Sequence, residues 1–239
     1  MTNREKRQGS GPTSVVLVDD HSVVREGYRR LIEATADLTV IGEAGTGEEA
    51  YRLFCDLHPD VVVMDLSLPG IGGIEAVRRI VARDAQARVL VFSMHDDAVF
   101  SSRALKAGAK GYVTKAAAPD VLIDAIRAVA AGRLYLSQDI AQELAVLSLP
   151  GRNNPVQALS AREFEVFRML VEGHSVAEIA RVLSLSQKTV ANYQSALRQK
   201  LDVSNTTQAV RLAMAHGLFP SVTEAGKSSG SMAGNDSWE

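Results

Sequence analysis

The chain has 239 residues, 46% hydrophobic and 23% charged, with a formal net charge of -2. These totals exclude a low-complexity or strongly basic protein and leave room for two modest cores, so any nucleic-acid surface must be local. The single cysteine, Cys55, excludes an internal disulfide framework, no Cys or His cluster has zinc-site spacing, and no apolar run approaches the roughly 20 residues that span a bilayer. The first ten residues, MTNREKRQGS, hold no apolar signal core, which makes the expected location cytoplasmic.

Residues 1–12 are polar, with Gly9, Gly11 and Pro12, and read as a disordered tail. Val15 to Val18 then form a short β-branched run that ends in Asp19-Asp20. A helical pattern follows (Val23, Val24, Tyr28, Leu31, Ile32), then a strand around Leu38 to Ile41 and a helix marked by Ala50, Leu53, Phe54 and Leu57. Val61-Val62-Val63-Met64 is an unbroken apolar run, as expected of a strand buried on both faces of a parallel sheet, and it delivers Asp65 at its carboxyl end. After Gly72-Gly73 come a helix (Ile74, Val77, Ile80) and the strand Arg88 to Phe92, which ends at Ser93. A helix around Asp96 to Ala107, the strand Gly111 to Val113 ending at Thr114-Lys115, and a helix over about Pro119 to Ala131 complete the series.

Five strands alternating with five helices predict a doubly wound, five-stranded parallel sheet with right-handed crossovers. Open sheets of this kind bind ligands at the carboxyl ends of their strands, and Asp19, Asp20, Asp65, Ser93 and Lys115 all fall at that edge. Three converging carboxylates repel one another unless a cation sits among them. Mg²⁺ suits such a site, because it takes oxygen ligands and keeps waters that a phosphate can replace. Asp65 is then a candidate nucleophile forming an acyl phosphate, Asp19 and Asp20 candidate metal ligands, Lys115 the charge offset and Ser93 a hydrogen-bond donor to the new oxygens. A rival reading starts from Gly45-Thr46-Gly47, which opens a helix some 20 residues before Asp65 with the spacing of a dinucleotide fingerprint, but it leaves Asp19, Asp20, Ser93 and Lys115 without a role.

The Asp pair, Asp65, Ser93, Tyr112 and Lys115 resemble those of a two-component receiver domain with its flavodoxin-like fold, over residues 13–134. The resemblance implies phosphorylation of Asp65 by a sensor histidine kinase and Mg²⁺ held by Asp19, Asp20, Asp65 and the Ser67 backbone carbonyl. It also implies a switch in which Ser93 turns toward the phosphate and Tyr112 turns inward. Such a domain acts on no separate substrate and catalyses only its own phosphorylation and dephosphorylation. One departure is Ala116 after Lys115, where receivers often carry proline.

Residues 135–157 read as a linker with a short helix (Ile140, Leu144, Leu147), with Leu149 to Pro155 as its Pro, Gly and Asn-rich part. Ser160-Ala161-Arg162-Glu163 is a capping box opening a helix that stops at Gly173, and Ser175 can cap a second. Ser184-Leu185-Ser186 makes a tight turn before a third helix, from Gln187 to Leu201. Val190, Tyr193, Leu197 and Leu201 share its inward face, and Lys188, Ala191, Asn192, Ser195 and Arg198 the opposite one. Two short helices and a tight turn suggest a helix-turn-helix, with Gln187, Lys188 and Thr189 suited to phosphates and Asn192 to adenine. A fourth helix, around Asn205 to His216, offers an Ala209, Leu212, Ala213 and His216 stripe for pairing two copies; the stripe could equally be core.

Residues 158–220 resemble the LuxR/FixJ (NarL-type) helix-turn-helix, through Leu159-Ser160-Ala161-Arg162-Glu163, Gly173-His174-Ser175, Glu178-Ile179-Ala180 and Ser186 to Val190 with Lys200-Leu201. Together the halves resemble a NarL-family response regulator, nearest the GacA/UvrY type: a receiver plus an all-α, four-helix helix-turn-helix domain. The resemblance implies a transcription factor activated through Asp65, binding double-stranded DNA through Gln187, Lys188, Thr189, Ala191, Asn192, Ser195, Arg198 and Lys200, and homodimeric when phosphorylated. Ala191 and Tyr193 depart from a common lysine and histidine. A basic surplus of about two charges over residues 158–220 supports DNA binding only mildly, and the alternative is a helical domain that binds a partner protein. Residues 221–239 are Gly- and Ser-rich and read as a second disordered tail.

Overall fold

The computed structural model describes residues 11–95, 98–147, 155–183 and 185–216. The expected tails, apart from residues 11 and 12, lie outside those residues, as do residues 148–154 of the linker and Ser184 of the expected turn.

The amino-terminal part alternates strands and helices: β1 (Thr13–Val18), α1 (Ser22–Glu33), β2 (Leu38–Ala44), α2 (Gly47–Leu57), β3 (Val61–Met64), α3 (Gly73–Arg83), β4 (Val89–Ser93), α4 (Ala98–Lys106), β5 (Gly111–Thr114) and α5 (Pro119–Ala130). The strands lie in the order β2-β1-β3-β4-β5 and every pair is parallel. Alternate residues of each strand feed two cores. Val15, Leu17, Val61, Val63, Leu90, Phe92 and Val113 pack with Ile32 of α1 and Leu122 and Ile126 of α5. Val16, Val18, Val62, Met64, Val89, Val91 and Tyr112 pack with Phe54, Ile74, Val77, Ile80 and Phe100 from α2, α3 and α4. Helices on both faces explain why the strands read as continuous Val runs with no polar alternation.

Two expectations need correction. The sheet has six strands: after α5 the chain turns at Gly132, with φ +77°, and Tyr135–Leu136 (β6) pairs parallel with β5. Two residues are too few to show a period, so this strand was invisible in the pattern; it covers what would have been an open sheet edge. In α1, Val23 is 85% exposed and Val24 is also exposed, although both fit the helical pattern. The first turn of α1 therefore lies outside the layer that Tyr28, Leu31 and Ile32 form against the sheet.

The Gly45-Thr46-Gly47 stretch is occupied by its own helix. Thr46 caps α2 by accepting from Glu49 N at 3.2 Å, and Glu49 accepts from Gly45 N at 3.0 Å. The Gly45 and Glu49 amides are thus taken by the turn's own side chains, and the Glu49 carboxylate stands where the rival reading would place a pyrophosphate.

Helix α6 (Gln138–Leu147) lies against α4, and a 3₁₀ turn (Pro155–Ala158) leads into α7 (Ala161–Val171), α8 (Val176–Val182), α9 (Gln187–Leu201) and α10 (Thr206–Ala215). Ser160 with Glu163 and Ser175 with Glu178 form complete capping boxes, while Ser186 and Asn205 cap α9 and α10. Phe167, Ile179, Val190, Leu197 and Leu201 fill the helical core. Ala209 and Ala213 belong to it too, with Leu212 and His216 half-buried. The two alanines of the α10 stripe thus help close this domain's own core, while Leu212 and His216 keep part of their surface open.

Candidate functional site

Parallel register brings the strand ends to one edge. Val18 pairs with Met64, Met64 with Val91 and Ser93 with Thr114, so Asp19, Asp65, Ser93 and Lys115 arrive side by side. Main-chain bonds hold them there: Asp19 N donates to Ala44 O (3.0 Å), Asp65 N to Val18 O (3.0 Å) and Lys115 N to Ser93 O (2.8 Å). Asp19 and Asp65 are 2% and 3% exposed, whereas Asp20 is more open. Gly73 closes the approach behind them, since a Cβ there would stand 2.2 Å from the Asp65 carbonyl oxygen.

Lys115 Nζ bridges the two buried carboxylates, 2.5 Å from Asp19 Oδ2 and 2.7 Å from Asp65 Oδ2. Burial works to lower the lysine's pKa, but Asp65 and Asp19 outweigh it and hold the ammonium above its ordinary value. Asp65 Oδ1 accepts from Ser67 N at 3.2 Å. Asp19, Asp20 and His21 place ligand atoms within 4.8 Å of one another, with His21 Nδ1 2.8 Å from Asp20 Oδ1. The carboxylate oxygens here match the preference of a hard divalent cation. His21 went unnoticed in the sequence, although it directly follows the acid pair.

His95 was also missed. Its Nε2 lies 3.1 Å from Ser67 Oγ, its amide donates to Ser93 Oγ (3.3 Å), and its carbonyl accepts from Tyr112 Oη (2.8 Å). Its ring stacks on Phe100 with centroids 3.9 Å apart. Burial, then the nearby Arg168 and Lys115 charges, push its pKa down to about 3, so it is neutral at ordinary pH. Tyr112 and Ser93 are fully buried, and the tyrosine already stands inward.

In the helical part, Gln187, Lys188, Ala191, Asn192, Ser195 and Arg198 are exposed along one face of α9. Thr189 is half-buried and its hydroxyl is 2.7 Å from the capping Ser186 Oγ. Lys200 stands apart from this face: its ammonium is 2.8 Å from Glu163 Oε2, tying α9 to the capping box of α7.

Two family models match. Residues 15–127 match the response regulator receiver domain, and residues 157–213 match the bacterial regulatory proteins of the luxR family. Response regulator UvrY of Escherichia coli K12 is 39% identical over 207 residues, covering 86% of this chain and 95% of UvrY. The chain belongs to the LuxR-type two-component response regulators. Response regulator GacA of Pseudomonas aeruginosa PAO1 is 38% identical over 206 residues, covering 85% of this chain and 96% of GacA. Among solved structures, a LuxR-family two-component regulator from Aurantimonas sp. SI85-9A1 is 52% identical, with TM-score 0.56, over 57% of this chain and 98% of that one. RcsB of Salmonella enterica serovar Typhimurium, bound to promoter P1flhDC with the phosphomimetic BeF3-, is 27% identical, with TM-score 0.61, over 86% of this chain and 100% of RcsB.

In this response regulator the DNA-binding domain is docked on the receiver beside the acidic pocket. Phe100 of α4 meets Phe164 of α7 edge to face at 4.7 Å, and the Arg103 guanidinium lies 4.4 Å above the Phe164 ring. Arg103 also donates to Leu159 O (2.7 Å) and Val156 O (2.5 Å). From the other side, Arg162 donates to Gly70 O of the receiver (2.5 Å) and to Leu183 O at the end of α8 (2.6 Å). Glu165, paired with Arg162 at 2.6 Å, is packed against Gly72, where a Cβ would meet its carboxylate at 2.6 Å. Burial raises the Glu165 pKa despite Arg162. No helix among the described residues is long and apolar enough to cross a membrane.

Proposed function

We propose that this regulator is a cytoplasmic transcription factor switched by phosphorylation of Asp65 by a sensor histidine kinase. The observation that carries the reading is the Lys115 ammonium set between two buried carboxylates at the carboxyl edge of the sheet. A structural ion pair needs one carboxylate per lysine; two, with a third acid and a buried hydroxyl beside them, make a phosphoryl-transfer site. A carboxylate oxygen of Asp65 attacks phosphorus, the P–N bond of the kinase's phosphohistidine breaks, and the leaving imidazole nitrogen takes the electron pair. Lys115 stands against the attacking carboxylate and afterwards offsets the phosphoryl charge. Asp19, Asp20, Asp65 and the Ser67 carbonyl would hold Mg²⁺, which when bound neutralises charge on the phosphoryl oxygens. Apart from this self-modification the chain acts on no substrate.

The output is DNA binding through Gln187, Lys188, Thr189, Ala191, Asn192, Ser195 and Arg198 on α9, by a homodimer in the phosphorylated form. The exposed α9 face supports this, as does the likeness to RcsB, whose structures include dimers on DNA. The units are a receiver over 13–134 and a DNA-binding domain over 158–220. The test is retention of genomic fragments by the purified chain with Mg²⁺, with and without beryllofluoride, beside Asp65→Asn. Enrichment that responds to beryllofluoride in the wild type and not in Asp65→Asn is the expected result. A full response in the variant would mean that the switch lies elsewhere.

A further inference from the structure

His21 stands at the carboxyl edge of the sheet without a task in the phosphoryl chemistry. It occupies the N-cap of α1, a position that favours Ser, Thr, Asp or Asn, and its ring makes no capping bond. Nor is the ring core packing, since the side chain is 68% exposed. It turns instead to the acid pair: Nδ1 lies 2.8 Å from Asp20 Oδ1 and 3.6 Å from Asp19 Oδ1, and the His21 amide donates to Asp19 Oδ1 at 2.8 Å. Lys115 engages the other oxygen of Asp19, Oδ2, so ring and ammonium meet that carboxylate through different atoms. Two donors held on one cation at about 2.1 Å and a right angle lie about 3 Å apart, and the two Nδ1 distances, 2.8 and 3.6 Å, bracket that spacing.

We propose that His21 is a metal ligand that sets the selectivity of the acidic pocket, so that it takes a first-row transition-metal dication in preference to Mg²⁺. The proposal rests on the reading of Asp19, Asp20 and Asp65 as a divalent-cation site. The formal charges of these three acids and of Lys115 sum to two negatives, which any dication offsets. A fourth carboxylate would raise the affinity for every such ion, Mg²⁺ included. A neutral imidazole adds no charge; it adds a nitrogen donor. Mg²⁺ prefers oxygen and gives up its waters reluctantly, so it gains little from the ring. Imidazole suits iron, nickel, copper and zinc, and affinity for nitrogen and oxygen sites rises along the row from Mn²⁺ to Cu²⁺. In the metal-free chain the same ring makes only a solvent-exposed contact with Asp20, which is worth little and is readily exchanged for a cation.

The test uses the full-length chain, with Co²⁺ and Mg²⁺ as probes, in the wild type, His21→Asn and Asp20→Asn. Asparagine is a good N-cap and can still bond to Asp20, so His21→Asn keeps the start of α1 while removing the ring. By calorimetry its Co²⁺ affinity should fall about tenfold or more, since even groups that only orient a ligand cost roughly 10–100-fold when removed. Its Mg²⁺ affinity should change by less than about twofold. In the proton NMR spectrum of the Co²⁺-loaded wild type, an exchangeable imidazole N–H should appear far outside the usual range and be absent from His21→Asn. An equal fall for both ions would mean that His21 merely orients the acid pair, and no fall for either, or a shifted N–H that persists in His21→Asn, that its ring takes no part. Each of these overturns the proposal and leaves the acidic pocket as a metal site. No binding of either ion to the wild type, or binding of both that ignores Asp20→Asn, overturns the metal-site reading and the role of His21 with it.

Discussion

Lys115 Nζ stands 2.7 Å from Asp65 Oδ2 and, with Asp19 on its other side at 2.5 Å, is the cation on which two buried acids depend. Removing one member of a buried charge set leaves the others uncompensated, which typically costs about 3–5 kcal/mol. Lys115→Met should lose roughly that much stability to urea in metal-free buffer. If the acids also form the Mg²⁺ site, millimolar Mg²⁺ should restore a large part of the loss, because binding to the folded state alone is stabilising. Urea curves with and without Mg²⁺ measure both effects. An unrestored variant would show that the carboxylates take no divalent ion.

His95 supplies the pH dependence. Its pKa falls from 6.5 to about 3 on folding, through burial and then the Arg168 and Lys115 charges, so between those values the unfolded chain binds the extra proton. Stability contributed by the neutral ring is complete above about pH 6.5 and is lost as pH falls toward 3. Acidification from pH 7 to 5 should lower the urea midpoint and loosen the Phe100–Phe164 contact that His95 supports. In His95→Gln, the midpoint should change less over the same interval. Equal slopes in the two chains would mean that other groups carry the acid sensitivity.

The receiver was legible because three of its strands are apolar runs stopped by the residue that does the chemistry: Val18 before Asp19, Met64 before Asp65, Phe92 before Ser93. Capping boxes likewise announced α7, and the inward face of α9 came out as its period required. What stayed hidden depends on tertiary placement. The two residues of β6 carry no period. His95 gains its role from Phe100 and Tyr112, neither of which marks it locally. The docking of α7 joins Arg103 to residues more than 50 positions away, a relation that periodicity cannot express.

On α9, three substitutions should separate reading from scaffolding. Lys188→Ala removes an exposed charge suited to phosphate, so it should weaken binding to all sequences and reduce the salt slope by about 1. Asn192→Ala should cost about 1–3 kcal/mol on the operator and little on unrelated DNA. Lys200→Ala should leave the salt slope alone and cost roughly 1 kcal/mol of stability, because the half-exposed lysine pairs with the buried Glu163. Burial disfavours the Glu163 carboxylate, yet Lys200 and the Ser160 amide keep its pKa below the usual range. Fluorescence anisotropy at several salt concentrations, beside thermal melts, tells these outcomes apart. A salt-slope change in Lys200→Ala would return that residue to the DNA surface.

The last prediction concerns a pair that touches neither metal nor phosphate. Arg25 of α1 donates through Nη1 to the Asp19 carbonyl, and its Nε lies 3.1 Å from Glu43 Oε2 on β2, where Arg29 also pairs with Glu43 at 2.8 Å. Glu43 thus aims Arg25, and Arg25 fixes the main chain at the point where β1 hands over to the acid pair. Groups that orient metal ligands typically cost 10–100-fold in affinity when removed. Arg25→Ala should weaken Mg²⁺ binding about tenfold by calorimetry, and Glu43→Gln less. Because Glu43 acts through Arg25, the double variant should be no worse than Arg25→Ala alone, whereas independent roles would add. Arg29→Ala serves as control: it removes a neighbouring charge but no bond to the Asp19 main chain, so affinity should change little. An equal loss in Arg29→Ala would mean that the net charge of α1, not the Arg25 bond, sets the affinity of the site.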